Sequence, residues 1–285
     1  MNYLYDYLLV GSSGQIGRLL KVYLEVRGRV FIVPRNFITL PAARHVINVG
    51  GYTKFDNRVD KYWNDNIRLA IRLATHAEAT GACYHQFSSE AVAEYRTSVL
   101  RESIEGPIAS PKMIDYALSK VLTEQSVRAI MNPRKLYIYR CSDVVPPIAR
   151  IDRQWRRDHW LSILFSCGKP GFAANDDFPV WIAPVDHLVR AFVLLLDNAY
   201  PGAYHLLGNK YLWSTFYKYA EEPPTVLPAT AKLAVHVNPV IRIDPPLATC
   251  IDAPLTNAIL ESLEFRWPRI EADYWRRYAH YAITH

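Results

Sequence analysis

One feature near the start of the chain narrows the fold more than any other. The apolar run Leu4 to Val10 stops at Gly11-Ser-Ser-Gly14-Gln-Ile-Gly17, and Ile16, Leu19, Leu20, Tyr23 and Leu24 then recur at helical spacing as far as Val26. A buried strand that turns on glycines directly into a helix is the opening half of a β-α-β unit, so it requires a parallel partner strand further on. Glycine in such a turn permits close backbone approach, and the helix it opens presents unpaired N–H groups to an anion.

The rest of the chain keeps that rhythm. Arg29–Val33 and His45–Val49 read as strands. Asp60–Thr80 reads as a helix on the spacing of Ile67, Ala70, Ile71, Leu73 and Ala74, and Gly81 stops it. Cys83–Phe87 is then a strand, Asp115–Ile130 a helix, Lys135–Arg140 a strand and Val185–Leu196 a helix. This alternation predicts an α/β fold of the Rossmann type, a doubly wound parallel sheet with a smaller C-terminal substrate-binding lobe. The dinucleotide-binding core is expected over residues 1–145, with 181–210 returning to it. The lobe is expected over 146–180 and 211–285, stretches rich in Pro, Trp and Tyr. Only 27 residues separate Gly17 from His45, too few for the second helix and third strand usual in this fold.

Charge excludes some functions. The net charge is +6, but only Arg153, Arg156 and Arg157 cluster and no helix carries a basic stripe, so nucleic acid is not an expected partner. A phosphorylated cofactor and an anionic small molecule account for the balance. Cys83, Cys141, Cys167 and Cys250 lie far apart with no metal-type spacing, so no metal is expected. A reducing cytoplasm and no membrane span are expected, and a homodimer is left open.

Chemistry concentrates in two places. The glycine loop suits a dinucleotide pyrophosphate, which assigns Gly11, Ser13, Gly14, Gln15, Ile16 and Gly17 to cofactor binding, with Asn48 at the third strand end. Arg35 stands where sites for the non-phosphorylated cofactor carry an acid, so NADP is favoured over NAD. Tyr116 and Lys120 are four residues apart, hence on one helix face. A phenol titrates near ~10, and a neighbouring cation stabilises its phenolate, which lets the pair exchange a proton with a carbonyl or alcohol oxygen. Ser89, at a strand end, adds a hydroxyl to hold that oxygen.

Together these motifs resemble the short-chain dehydrogenase/reductase family in its extended form, over nearly the whole chain. Gly11, Gly14 and Gly17 match the family's cofactor loop, and Ser89, Tyr116 and Lys120 its serine, tyrosine and lysine. Arg140-Cys-Ser-Asp-Val-Val-Pro is similar to its arginine-bearing strand end, and Pro184-Val-Asp186-His187 to its later P-V-D motif. The resemblance implies that Lys120 also contacts the nicotinamide ribose, that Tyr116 too borders the bound cofactor, that Asn66 is structural, and that Asp186 and His187 lock a helix start. Ile47-Asn-Val-Gly-Gly-Tyr-Thr-Lys-Phe-Asp56 is similar to the dTDP-4-dehydrorhamnose reductase type. The implied activity is reduction by NADPH of a keto group on a nucleotide-activated sugar or similar polar metabolite. A nucleotide-sugar epimerase retaining its dinucleotide and a non-catalytic regulatory relative are the alternatives. A 4,6-dehydratase fits less, because Glu90-Ala91 stands where that type has two acids. Trp155, Trp160 and Trp181 are left open between core packing and stacking platforms.

Overall fold

A computed structural model describes residues 3–54, 58–93, 99–103, 106–110, 113–151, 155, 161–162, 165, 179–219 and 251–284. The expected opening unit is present as β1 (Tyr5–Val10), α1 (Gln15–Glu25) and β2 (Val30–Ile32). Next come β3 (Ala43–Asn48), α2 (Val59–Tyr62), α3 (Leu69–Thr80), β4 (Cys83–Ser89), α4 (Asp115–Ile130), β5 (Leu136–Cys141) and β6 (Asp143–Val145). The described chain closes with β7 (Pro179–Pro184), α5 (Val185–Asn198), β8 (Gly202–Leu206), β9 (Asn209–Leu212), α6 (Pro254–Ser262) and α7 (Ala272–Thr284).

Six strands form one parallel sheet in the order β2-β1-β3-β4-β5-β8. The crossover direction reverses between β1 and β3, and such a switch point opens a crevice at the carboxyl ends of the strands. Because the chain passes from β2 straight to β3, β2 is left as the sheet edge; the short spacing between Gly17 and His45 has this consequence. A second sheet, β6-β7-β9, starts at Asp143, just after β5 in the chain.

Successive strand residues point to opposite faces, and both faces are buried. Leu8, Val46 and Ile138 pack on one side with Ala70, Leu73, Ala74 and Ala77 of α3 and Val127 of α4. Leu9, Ile47 and Tyr139 pack on the other with Leu20 and Leu24 of α1 and Leu188, Phe192 and Leu195 of α5. That second core continues into Phe216, Tyr274, Trp275 and Tyr278, so α7 is sealed onto it. Trp155 belongs there too, 5% exposed and with its carbonyl accepting from the Tyr281 hydroxyl, which resolves it as packing. Trp181 lies half-buried under the Lys210 ammonium. Arg153, Arg156, Arg157 and Trp160 fall outside the described residues.

Periodicity predicts one helix over Asp60–Thr80, and the chain instead widens into a π turn at Trp63–Arg68 between α2 and α3. π turns are frequent at functional sites. Here the extra residue places buried Asn66 so that its Oδ1 accepts from Tyr52 N (2.6 Å) while its Nδ2 donates to Tyr52 O (3.1 Å) and Ser119 Oγ (3.0 Å). Asn66 thereby ties the turn after β3 to α4, the structural part expected of it. Asp186 at the start of α5 likewise holds the Ile148 amide (3.3 Å).

A buried imidazole pair sits within the sheet. His45 Nδ1 and His85 Nε2 are 3.0 Å apart, and His85 Nδ1 is 3.2 Å from the Tyr139 hydroxyl. Burial pushes His85 well below the usual histidine range and lowers His45 as well; it brings His205 to about 4. These rings stay neutral when folded and bind protons once unfolded, so their contribution is complete above about pH 6.5 and is lost as pH falls below it. The unfolding free energy from urea titrations should fall as pH drops below about 6.5, approaching at most about 1.4 kcal/mol per histidine per pH unit, and His85→Gln should flatten the slope. An unchanged slope in that variant would remove His85 from the account.

Candidate active site

At the carboxyl end of β1 the glycine loop folds back on itself. A Cβ on Gly17 would lie 2.0 Å from the Gly11 carbonyl oxygen, so only glycine lets the first turn of α1 pack so closely on the loop. The N-cap, Gly14, makes no side-chain hydrogen bond to α1, and the first turn contains no acid. An uncapped, uncontested helix start of this kind fits a pyrophosphate. Ser13 and Gly14 are exposed at the mouth, Ile16 anchors the turn in the core, and Gln15 accepts from Arg18 Nη2 (2.7 Å).

Asn48 is 1% exposed and fully engaged within the protein. Its Nδ2 donates to Tyr84 Oη and Gln86 Oε1, and its Oδ1 accepts from Gly50 N. What Asn48 offers a dinucleotide is the shape of the Gly50-Gly51 turn rather than a free amide. Arg35 lies just past β2 at the open sheet edge with its side chain 87% exposed, and its Nη2 stands 3.8 Å from Asp65 Oδ2 on the π turn. The β2 edge of the crevice is therefore flanked by that guanidinium.

Helix α4 brings Tyr116 and Lys120 together, with Lys120 Nζ 5.7 Å from the centre of the half-buried phenol ring. The Tyr62 ring lies 6.4 Å from that of Tyr116 and 5.4 Å from that of Tyr52, which walls this side of the site with aromatics. Lys120 is 6% exposed, and burial lowers its ammonium to about 8 against the favourable pull of Cys141 and Glu124. Ser89 ends β4 beside Cys141 of β5, the residue that feels the Lys120 charge. Its Oγ accepts from Ala91 N (3.2 Å), which leaves the hydroxyl hydrogen to donate.

Beneath these groups is a buried charged cluster that the sequence motifs only hint at. Glu124 Oε1 accepts from Ser88 Oγ (2.6 Å) and Arg140 Nε (3.1 Å), and its Oε2 accepts from Arg140 Nη2 (2.9 Å) and Arg128 Nη2 (2.7 Å). Burial works to raise the Glu124 carboxyl, but the Arg140 and Arg128 guanidinium groups and the Ser88 hydroxyl together outweigh it and hold the group below the usual range. Arg140 Nη1 reaches the Arg101 carbonyl (3.2 Å) and His205 Nε2 (2.9 Å). Glu102 then caps α6 through the amides of Leu255 (2.6 Å) and Thr256 (3.1 Å). Glu124 and Lys120 share a helix face at i and i+4, so that spacing was the available signal.

The family described as male sterility protein, an NAD-binding family, matches residues 35–192, more than half of the chain, including Ser89, Tyr116 and Lys120. MoeE5 solved with UDP-glucuronic acid and NAD is similar at 16% identity, covering 95% of this chain and 99% of that one, with a TM-score of 0.67. A dTDP-4-dehydrorhamnose reductase from Bacillus anthracis solved with NADP is similar at 18% identity, covering 98% and 99%, with a TM-score of 0.63. RMD from Pseudomonas aeruginosa with NADPH is 14% identical over 98% and 99%, with a TM-score of 0.66. No curated protein matches the chain in sequence. No helix among the described residues is long and apolar enough to cross a membrane.

Proposed function

This chain belongs to the extended short-chain dehydrogenase/reductase family, whose members are NAD(P)-dependent oxidoreductases, and we propose that it uses NADPH to reduce a keto group on a nucleotide-activated sugar. The observation that carries this reading is the meeting of Lys120 and Tyr116 on α4 beside the Ser89 strand end, at the same carboxyl end of the sheet as the uncapped glycine loop. A bound nicotinamide dinucleotide supplies the hydride. The Tyr116 phenol gives its proton to the carbonyl oxygen as charge develops there, the Ser89 hydroxyl holds that oxygen, and the Lys120 ammonium stabilises the resulting phenolate. Relatives of the same fold solved with UDP-glucuronic acid or named for dTDP-4-dehydrorhamnose support the substrate class.

Absorbance at the reduced-nicotinamide band, with a panel of UDP- and dTDP-4-keto sugars, tests the proposal. Consumption of NADPH with at least one panel member is expected, and none with either dinucleotide overturns it. Arg35 carries the cofactor preference. Fluorescence titration should show NADPH binding more tightly than NADH, and Arg35→Asp should weaken NADPH about tenfold while sparing NADH, as loss of a charge-assisted contact to a 2′-phosphate requires. Identical curves for the two cofactors in the unaltered protein would remove that preference.

A further inference from the structure

Most of the buried or half-buried carboxyls near the site have full partners. Glu124 is met by two guanidinium groups and a hydroxyl, and Glu102 caps a helix. Glu90 differs. It directly follows Ser89 at the carboxyl end of β4, opens the short 3₁₀ turn Glu90–Ala93, and accepts from the backbone N–H of Asp143 at the start of β6. Its other oxygen, Oε2, is buried and has no hydrogen-bond partner. A buried polar atom left unmet is costly, and at the edge of a reacting centre it points to a ligand that meets it.

We propose that Glu90 is a specificity-determining residue of the sugar pocket, its carboxyl donating a hydrogen bond to a hydroxyl or carbonyl oxygen of the bound sugar beside the reacting carbon. The inference rests on the nucleotide-sugar reading above and adds which sugar the pocket takes. Among the described residues, the titratable groups that face Glu90 are the Asp143 carboxyl on β6 and the Cys141 thiol on β5, with the Lys120 ammonium on α4 beyond that thiol. Burial, and then the Asp143 charge, push the Glu90 carboxyl well above the usual range, which favours the protonated form that a donor needs. With Asp143 adjacent, the same end of the pocket repels a second anion. It therefore accepts a neutral sugar oxygen and disfavours a sugar carboxylate.

Calorimetric titration of the NADP-loaded protein with UDP-glucose and UDP-glucuronic acid tests this. UDP-glucose is expected to bind more tightly than UDP-glucuronic acid, and to weaken as pH rises and Glu90 ionises. Glu90→Gln, which keeps an N–H donor of the same shape, should bind UDP-glucose nearly as well with the pH dependence gone. Glu90→Ala should weaken it about tenfold, as loss of one hydrogen bond implies. Binding by the alanine variant equal to that of the unaltered protein, or a pH dependence that survives in the glutamine variant, overturns the role of Glu90 alone. Failure of the unaltered protein to bind UDP-glucose while it consumes NADPH with a keto-sugar nucleotide overturns this inference and leaves the nucleotide-sugar reading standing; failure on both counts overturns both. A merely structural Glu90 would change melting temperature without moving the pH profile of binding.

Discussion

Tyr116→Phe is expected to lower kcat by roughly a hundredfold to ten-thousandfold, the range that a lost general acid commands, with NADPH affinity almost unchanged. The ring stays and continues to pack against Tyr62, so the change removes the hydroxyl and with it the proton. Lys120→Ala should harm both turnover and cofactor binding, because it deletes the cation beside the phenol and the ribose contact the family resemblance implies. Ser89→Ala should cost about tenfold to a hundredfold in kcat, the loss of one hydrogen bond to the reacting oxygen. Since burial brings Lys120 to about 8, kcat/KM in the unaltered enzyme should fall as pH rises past that value and the ammonium is lost. Stopped-flow absorbance and dinucleotide fluorescence separate these effects, and a fully active Tyr116→Phe protein would sink the proposed chemistry.

Why the sequence revealed some of this and not the rest follows from the range of the interactions involved. The strand-glycine-helix opening, the Tyr116/Lys120 pair and the missing edge strand are local in sequence, and each was legible from spacing alone. The π turn was not, because Trp63–Arg68 keeps an ordinary helical pattern and widens only where Asn66 bonds Tyr52 and Ser119, 14 and 53 residues away. Asn48 reads as a cofactor residue at a strand end, yet its amide is used by Tyr84 and Gln86 on the neighbouring strand. Glu90 drew notice in the sequence only for lacking a second acid after it. Its unmet oxygen is a property of packing, visible once β6 lies beside β4's end.

The buried cluster joins stability to catalysis, and Glu124→Ala exposes the connection. Arg140 is 0% exposed, so removing Glu124 leaves a guanidinium in the core with only the Arg101 carbonyl and His205 to meet it. Breaking such a buried pair from one side costs about 3–5 kcal/mol, a large part of the roughly 5–15 kcal/mol that holds a domain folded. Urea denaturation should show that loss. The double variant Glu124→Leu with Arg140→Met should recover part of it, because two desolvated charges leave together; recovery stays incomplete, since Arg140 also anchors the residue 101 turn and His205. Catalysis should shift as well. Glu124 lies one helical turn beyond Lys120 and its negative charge favours the ammonium, so its removal lowers Lys120 further below about 8. The alkaline fall in kcat/KM should then begin at lower pH in Glu124→Ala, measured at a temperature where the variant is still folded. A variant that loses stability and keeps the pH profile of the unaltered enzyme would reduce the cluster to scaffolding alone.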